Sequence, residues 1–116
     1  MKTAFAVGAH PDDIEFFMAG TLLRLKDAGY EIHYMNVANG CCGTTQHDPA
    51  TITALRRKES LAACEVLGAV YHESICDDMD IFYERRPLRK LASIMREVRF
   101  ELLLTHSSSD YIQDHE

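Results

Sequence analysis

At 116 residues, with 47% hydrophobic and 26% charged side chains, the chain has ordinary globular composition, long enough for one core and too short for two. Eighteen acidic residues against twelve basic ones leave a net charge of -6, which argues against a nucleic-acid surface and against anionic membranes, and points to small-molecule partners. No apolar run reaches membrane-spanning length, and Met1-Lys2 leads into an apolar stretch without a signal-peptide pattern, so the expectation is a cytoplasmic protein with reduced thiols. Cys41, Cys42, Cys64 and Cys76 contain no Cys-x-x-Cys, which excludes a zinc knuckle or a thioredoxin-type motif, and a bridge between the neighbours Cys41 and Cys42 would be strained.

The first element is the short apolar run Thr3 to Ala9, which reads as a central strand covered on both faces. Pro11 has no N–H for a sheet ladder and biases His10 to extended geometry, which puts His10 at the strand's carboxyl end. Asp12, Asp13 and Glu15 follow where a helix would begin, and its positive dipole end favours carboxylates. Three residues apart across this turn, His10 and Asp13 can converge on one cation as a zinc half-site. Asp12 between them must point elsewhere, free to act as a general base toward a metal-activated water. Acidic residues after a proline also simply start helices, so the four-residue pattern alone does not decide.

Phe16 to Ala28 is predicted as an amphipathic helix with Phe16, Phe17, Leu22, Leu23 and Leu25 on its apolar side, ended by Gly29. Glu31 to Val37 reads as a second strand and Ala38 to Pro49 as a long polar loop containing Gly40 and Gly43, of the kind that is usually functional or mobile. A second helix covers Thr51 to Leu67, with Ile52, Leu55, Leu61, Ala62 and Val66 inward and Gly68 closing it. Ala69 to Ser74 is a third strand, followed by the acidic loop Asp77-Asp78-Met79-Asp80. Pro87 opens a third helix running to about Arg99, with Leu88, Leu91, Ile94, Met95 and Val98 inward. Glu101 to Thr105 is a fourth, buried strand.

This alternation predicts an α/β, Rossmann-like open parallel sheet with helices on both faces, in one domain over 1–116. The usual strand order 3-2-1-4 makes the first and fourth strands neighbours at the switch point, where ligands bind beyond the carboxyl ends. The loop from His106 to His115 then meets the loop from His10 to Asp13. With His115 as a third ligand the set is two imidazoles and a carboxylate, leaving a fourth position open, a catalytic arrangement.

Gly8-Ala9-His10-Pro11-Asp12-Asp13-Ile14-Glu15 resembles the Ala-His-Pro-Asp-Asp-x-Glu signature of the LmbE-like or PIG-L-like zinc deacetylases, which remove acetyl groups from N-acetylglucosaminyl compounds. The similarity continues through Ala38 to Gly43, Arg56-Arg57-Lys58-Glu59, Asp78-Met79-Asp80 and Asp110 to His115, essentially the whole chain. The resemblance implies Zn2+ held by His10, Asp13 and His115, with Asp12 as general base, Arg56 binding substrate and Asp78 near the sugar pocket. It implies a small-molecule amino-sugar substrate. Two departures stand out. Ile112 replaces a histidine that helps stabilise the tetrahedral intermediate in the family, and members usually run to about twice this length. That shortness suggests a fragment with an uncovered sheet edge, poor activity and a tendency to form homo-oligomers.

Other candidates have plainer readings. Glu15 is a first-turn charge or a partner outside the ligand set, and His33, His47 and His72 read as surface residues. His106 either hydrogen-bonds in the site or is structural, and Arg56 either clamps substrate or decorates a helix surface. A nucleotide-binding module is disfavoured because Gly8 stands alone without a Gly-x-Gly-x-x-Gly. A truncated or non-catalytic metal-binding module is the other alternative.

Overall fold

The computed structural model describes residues 1–42, 46, 48–110 and 112–116; the expectations for Gly43 and His47 lie outside these. Strands β1 (Thr3–Gly8), β2 (Glu31–Asn36), β3 (Val70–His72) and β4 (Leu102–Leu104) form one parallel sheet in the order β3-β2-β1-β4. Among the described residues the helices are α1 (Asp13–Phe17), α2 (Ala19–Asp27), α3 (Pro49–Leu67) and α4 (Arg85–Val98), with a single 3-10 turn at Gln113–His115. The fold is therefore the α/β sheet with the expected 3-2-1-4 order, which makes β1 and β4 neighbours.

β1 is buried from Ala4 to Gly8, and its side chains split between two cores. Ala4 and Ala6 pack with Ile14, Met18, Leu22, Cys64 and Leu67 under α1, α2 and α3. Phe5 and Val7 face Met35, Val37, Leu91, Met95 and Val98 under α4. β1 runs in register with β2 from Thr3↔Glu31 to Gly8↔Asn36, and with β4 from Ala4↔Leu102 to Ala6↔Leu104. Both pairings are parallel, so the loops after β1 and β4 leave the sheet side by side.

Five expectations need correction. The helix expected over Phe16 to Ala28 is two helices, because the Met18 backbone (φ -126, ψ -13) leaves helical geometry. Its buried stripe is Ile14, Met18 and Leu22, at four-residue spacing, while Phe16 and Phe17 are exposed. On α3 the buried residues are Ile52, Ser60, Cys64 and Leu67; Leu55, Leu61, Ala62 and Val66 are exposed, because α3 presents a different stripe of its surface to the sheet. On α4 Leu88 is likewise exposed, a turn before the stripe reaches the sheet. β4 is an edge rather than a buried strand: among the described residues it pairs only with β1, and Leu102 and Leu103 are 40% and 41% exposed. Finally, His33 and His72 are half-buried instead of at the surface, with His33 Nδ1 2.8 Å from His72 Nε2 and the His72 ring 5.4 Å from that of Phe5.

Candidate metal centre

The carboxyl end of β1 delivers His10, and α1 starts three residues later at Asp13, with the Asp13 N–H donated to the His10 carbonyl at 3.2 Å. Asp12 between them has a left-handed backbone (φ 81), a strained geometry that aspartate tolerates better than most residues and that is common at functional turns. That twist turns its side chain away from Asp13. Asp12 caps no backbone N–H; its Oδ2 instead accepts a hydrogen bond from Arg56 Nη1 at 2.8 Å.

Asp13 Oδ2 is the atom on which the site converges. It accepts the His10 N–H at 2.9 Å and lies 3.5 Å from His10 Nδ1, 3.2 Å from His115 Nε2 and 3.4 Å from His106 Nε2. Burial pushes the Asp13 carboxyl up, but the hydrogen bonds from His10 and the charge of His115 outweigh it and hold the group below its ordinary range. His10 moves the other way: its hydrogen bond to Asp13, opposed by burial and reinforced by Asp114, raises it to about 9.

Two aspartates orient the imidazoles. His10 Nε2 is 2.7 Å from Asp114 Oδ2, which also accepts the Met79 N–H at 2.8 Å; the Nε2–H donated there leaves Nδ1 as the nitrogen that gives up its proton when a cation binds beside Asp13. His115 Nδ1 is 3.2 Å from Asp110 Oδ2, and the same reasoning presents its Nε2. The Ile112 N–H, opposed by burial and helped by His115, holds Asp110 below the usual carboxylate range. Ligand atoms of His10, Asp13 and His115 lie within 4.8 Å of one another. Two neutral imidazoles and a carboxylate at that spacing fit a tetrahedral zinc ion with one position left open.

His106, undecided in the sequence, accepts the Ala9 N–H on Nε2 at 3.0 Å and stacks on His115 with ring centres 3.8 Å apart. With its Nε2 lone pair occupied by the backbone, it braces His115 and ties β1 to the loop after β4. It also shares a second possible cation group with Asp110 and His115. The orienting roles of Asp110 and Asp114 were not legible in sequence, although each stands within the motif that ends the chain.

Arg56 reaches the site because Ile52, Arg56, Ser60 and Cys64 recur at four-residue spacing on one face of α3, and Arg56 is where that stripe passes the ends of the strands. Gly40 (φ 82) lies beneath it; a Cβ there would come within 2.9 Å of Arg56 Cγ and 3.1 Å of Pro11 Cγ. Asp78 is at the site too, but its carboxylate accepts the N–H groups of Gly40 at 2.8 Å and Cys42 at 3.0 Å. Glu15 lies below, its Oε1 accepting the Tyr34 hydroxyl at 2.6 Å. Burial, opposed by that bond and helped by neighbouring Asp12, raises the Glu15 carboxyl. A cavity of about 440 Å³ opens beside the cluster, lined by His10, Gly40, Arg56, Asp78, Met79 and Ile112.

The described helices include none long and apolar enough to cross a membrane. Residues 5–116 match the family model PIG-L, GlcNAc-PI de-N-acetylase. The chain is 30% identical over 122 residues to 4-oxalmesaconate hydratase of Pseudomonas putida, covering 98% of this chain and 47% of that one. It is similar in structure to the N,N'-diacetylchitobiose deacetylase of Pyrococcus horikoshii, with a TM-score of 0.90, 27% identity, and 98% and 45% of the two chains covered. A zinc-inhibited form of a teicoplanin deacetylase shares the fold, with a TM-score of 0.77, 17% identity, and coverage of 98% and 59%. The chain thus spans about half the length of the relatives it matches and belongs to the PIG-L family of enzymes, among whose relatives are both deacetylases and a hydratase.

Proposed function

We propose that this chain carries the metal-binding half of a zinc-dependent hydrolase that removes the acetyl group from an N-acetylglucosaminyl-type substrate. Its supporting observation is the division of labour between adjacent aspartates: Asp13 faces two imidazoles while Asp12 turns to Arg56 at the edge of the same cluster. His10, Asp13 and His115 are the residues that would hold zinc, which when bound supplies a Lewis acid for the acetyl carbonyl and makes a water molecule more acidic. Asp12 takes the proton of the attacking water as the C–O bond forms, and returns it to the amine nitrogen as the C–N bond breaks. Arg56 keeps the Asp12 carboxylate aimed and lines the cavity that receives the sugar. Asp78 shapes that cavity by holding the Gly40 to Cys42 segment.

A second reading, hydration of an unsaturated carboxylate, draws on the 30% identical hydratase and on Ile112, an apolar residue in the cavity wall where the resemblance to the deacetylases implies a histidine. Arg56 would then pair with a substrate carboxylate. Assaying the zinc-loaded protein for acetate release from N-acetylglucosaminyl compounds, and for loss of ultraviolet absorbance by unsaturated oxo-acids, separates the two. The deacetylase reading expects Asp12→Asn to keep its zinc and lose about 10²–10⁴-fold in rate, and Asp13→Ala to lose zinc and activity together. Zinc loss from Asp12→Asn with retention in Asp13→Ala would reverse the assignment, and hydration without acetate release would replace the reaction.

A further inference from the structure

Cys42 lines the cavity beside the cluster, Cys41 precedes it in the chain, and neither takes part in the cluster around Asp13. Both are free thiols, Cys41 half-buried and Cys42 exposed, with their sulfurs 3.7 Å apart. Neighbours on an extended chain point to opposite sides, but here the chain turns at Gly40 and an acidic platform holds it. Asp78 accepts the N–H groups of Gly40 and Cys42, the Cys41 N–H is donated to Asn39 Oδ1 at 3.1 Å, and Asn39 donates to Asp77 at 2.6 Å. As a result one ligand atom from each of Cys41, Cys42 and Asp78 lies within 4.8 Å of the other two. A tetrahedral ion with bonds of about 2.3 Å to two sulfurs holds them about 3.8 Å apart, the spacing already present here.

The geometry points to a second cation site, formed by the Cys41 and Cys42 sulfurs and an Asp78 oxygen, for a thiophilic divalent ion such as zinc or cadmium. Each Asp78 oxygen spends one lone pair on a backbone N–H and keeps another for the ion. Binding deprotonates both thiols, so two protons leave for each divalent ion and the three ligands with the ion carry a net charge of about -1. Burial holds the Cys41 thiol above its ordinary range, so the ion must displace protons and affinity rises with pH. The set is softer than the imidazole and carboxylate set around Asp13, so the two sites sort cations differently, and cadmium prefers the sulfurs. Occupancy ties the Gly40 to Cys42 segment to the acidic turn and stiffens the cavity mouth.

The test is titration of the 116-residue chain with Cd2+ alone, following sulfur-to-cadmium charge-transfer absorption. One equivalent of band-forming cadmium is expected, and Cys41→Ser or Cys42→Ser should weaken its binding about 100-fold or more, beyond the loss typical of residues that only orient a ligand. A Cys64→Ser, Cys76→Ser double variant and His115→Ala should each keep the band, the latter separating this site from the one around Asp13. Absence of the band, its survival when Cys41 and Cys42 are both serine, or its loss in His115→Ala would overturn the assignment. Cys42 is exposed, so its serine variant should keep the native circular dichroism and leave the binding result interpretable.

Discussion

His10 shows how much of this site is set by single charges. Its hydrogen bond to Asp13, against burial and with the help of Asp114, raises it from 6.5 to about 9, so the folded chain holds a proton there that the unfolded chain gives up earlier. That contribution to stability is fully present below about pH 6.5 and is lost as pH rises through about 9. Metal-free protein should therefore show a urea midpoint that falls between these limits, and His10→Ala should flatten that part of the profile. The turn from His10 to Asp13 was readable because all its members lie within one strand-to-helix step. Asp114, 104 residues from His10 in sequence, was not, because nothing local shows which imidazole it will meet.

Among the elements, α3 matters most for the site, since it carries Arg56. Its ends follow local rules: Asp48 accepts the Thr51 N–H at 2.7 Å, Pro49 takes the first helical position, and Gly68 (φ 64) closes it in left-handed geometry. Asp48→Ala should cost about 1 kcal/mol of stability by urea denaturation, the usual cost of a lost cap. The inward face of α3 was harder to read than its ends. Apolar residues such as Leu55, Leu61 and Val66 are scattered around it, and only contact with the sheet selects the Ile52, Ser60, Cys64 stripe. α4 is the contrasting case: its charged residues crowd one side, and Leu91, Ile94, Met95 and Val98 were identifiable as the packing face.

For the molecule as a whole, the open feature is the edge at β4. Leu102 and Leu103 are exposed beside a strand whose partner among the described residues is β1 alone, an arrangement that invites a second strand. Sedimentation velocity should show association that grows with concentration, and Leu103→Lys should reduce it, because a charge on an edge strand opposes pairing. The alternation of strands and helices was legible in the residues alone, because apolar periodicity and turn chemistry act locally, and the usual order of such a half-sheet then brought the loops after β1 and β4 together. Tertiary structure alone decided that Arg56 points at Asp12, that Asp114 and Asp110 aim the two imidazoles, and that Asp78 grips the cysteine turn. Those contacts join residues far apart in the chain, and their partners are selected only when packing has placed every loop at the same end of the sheet.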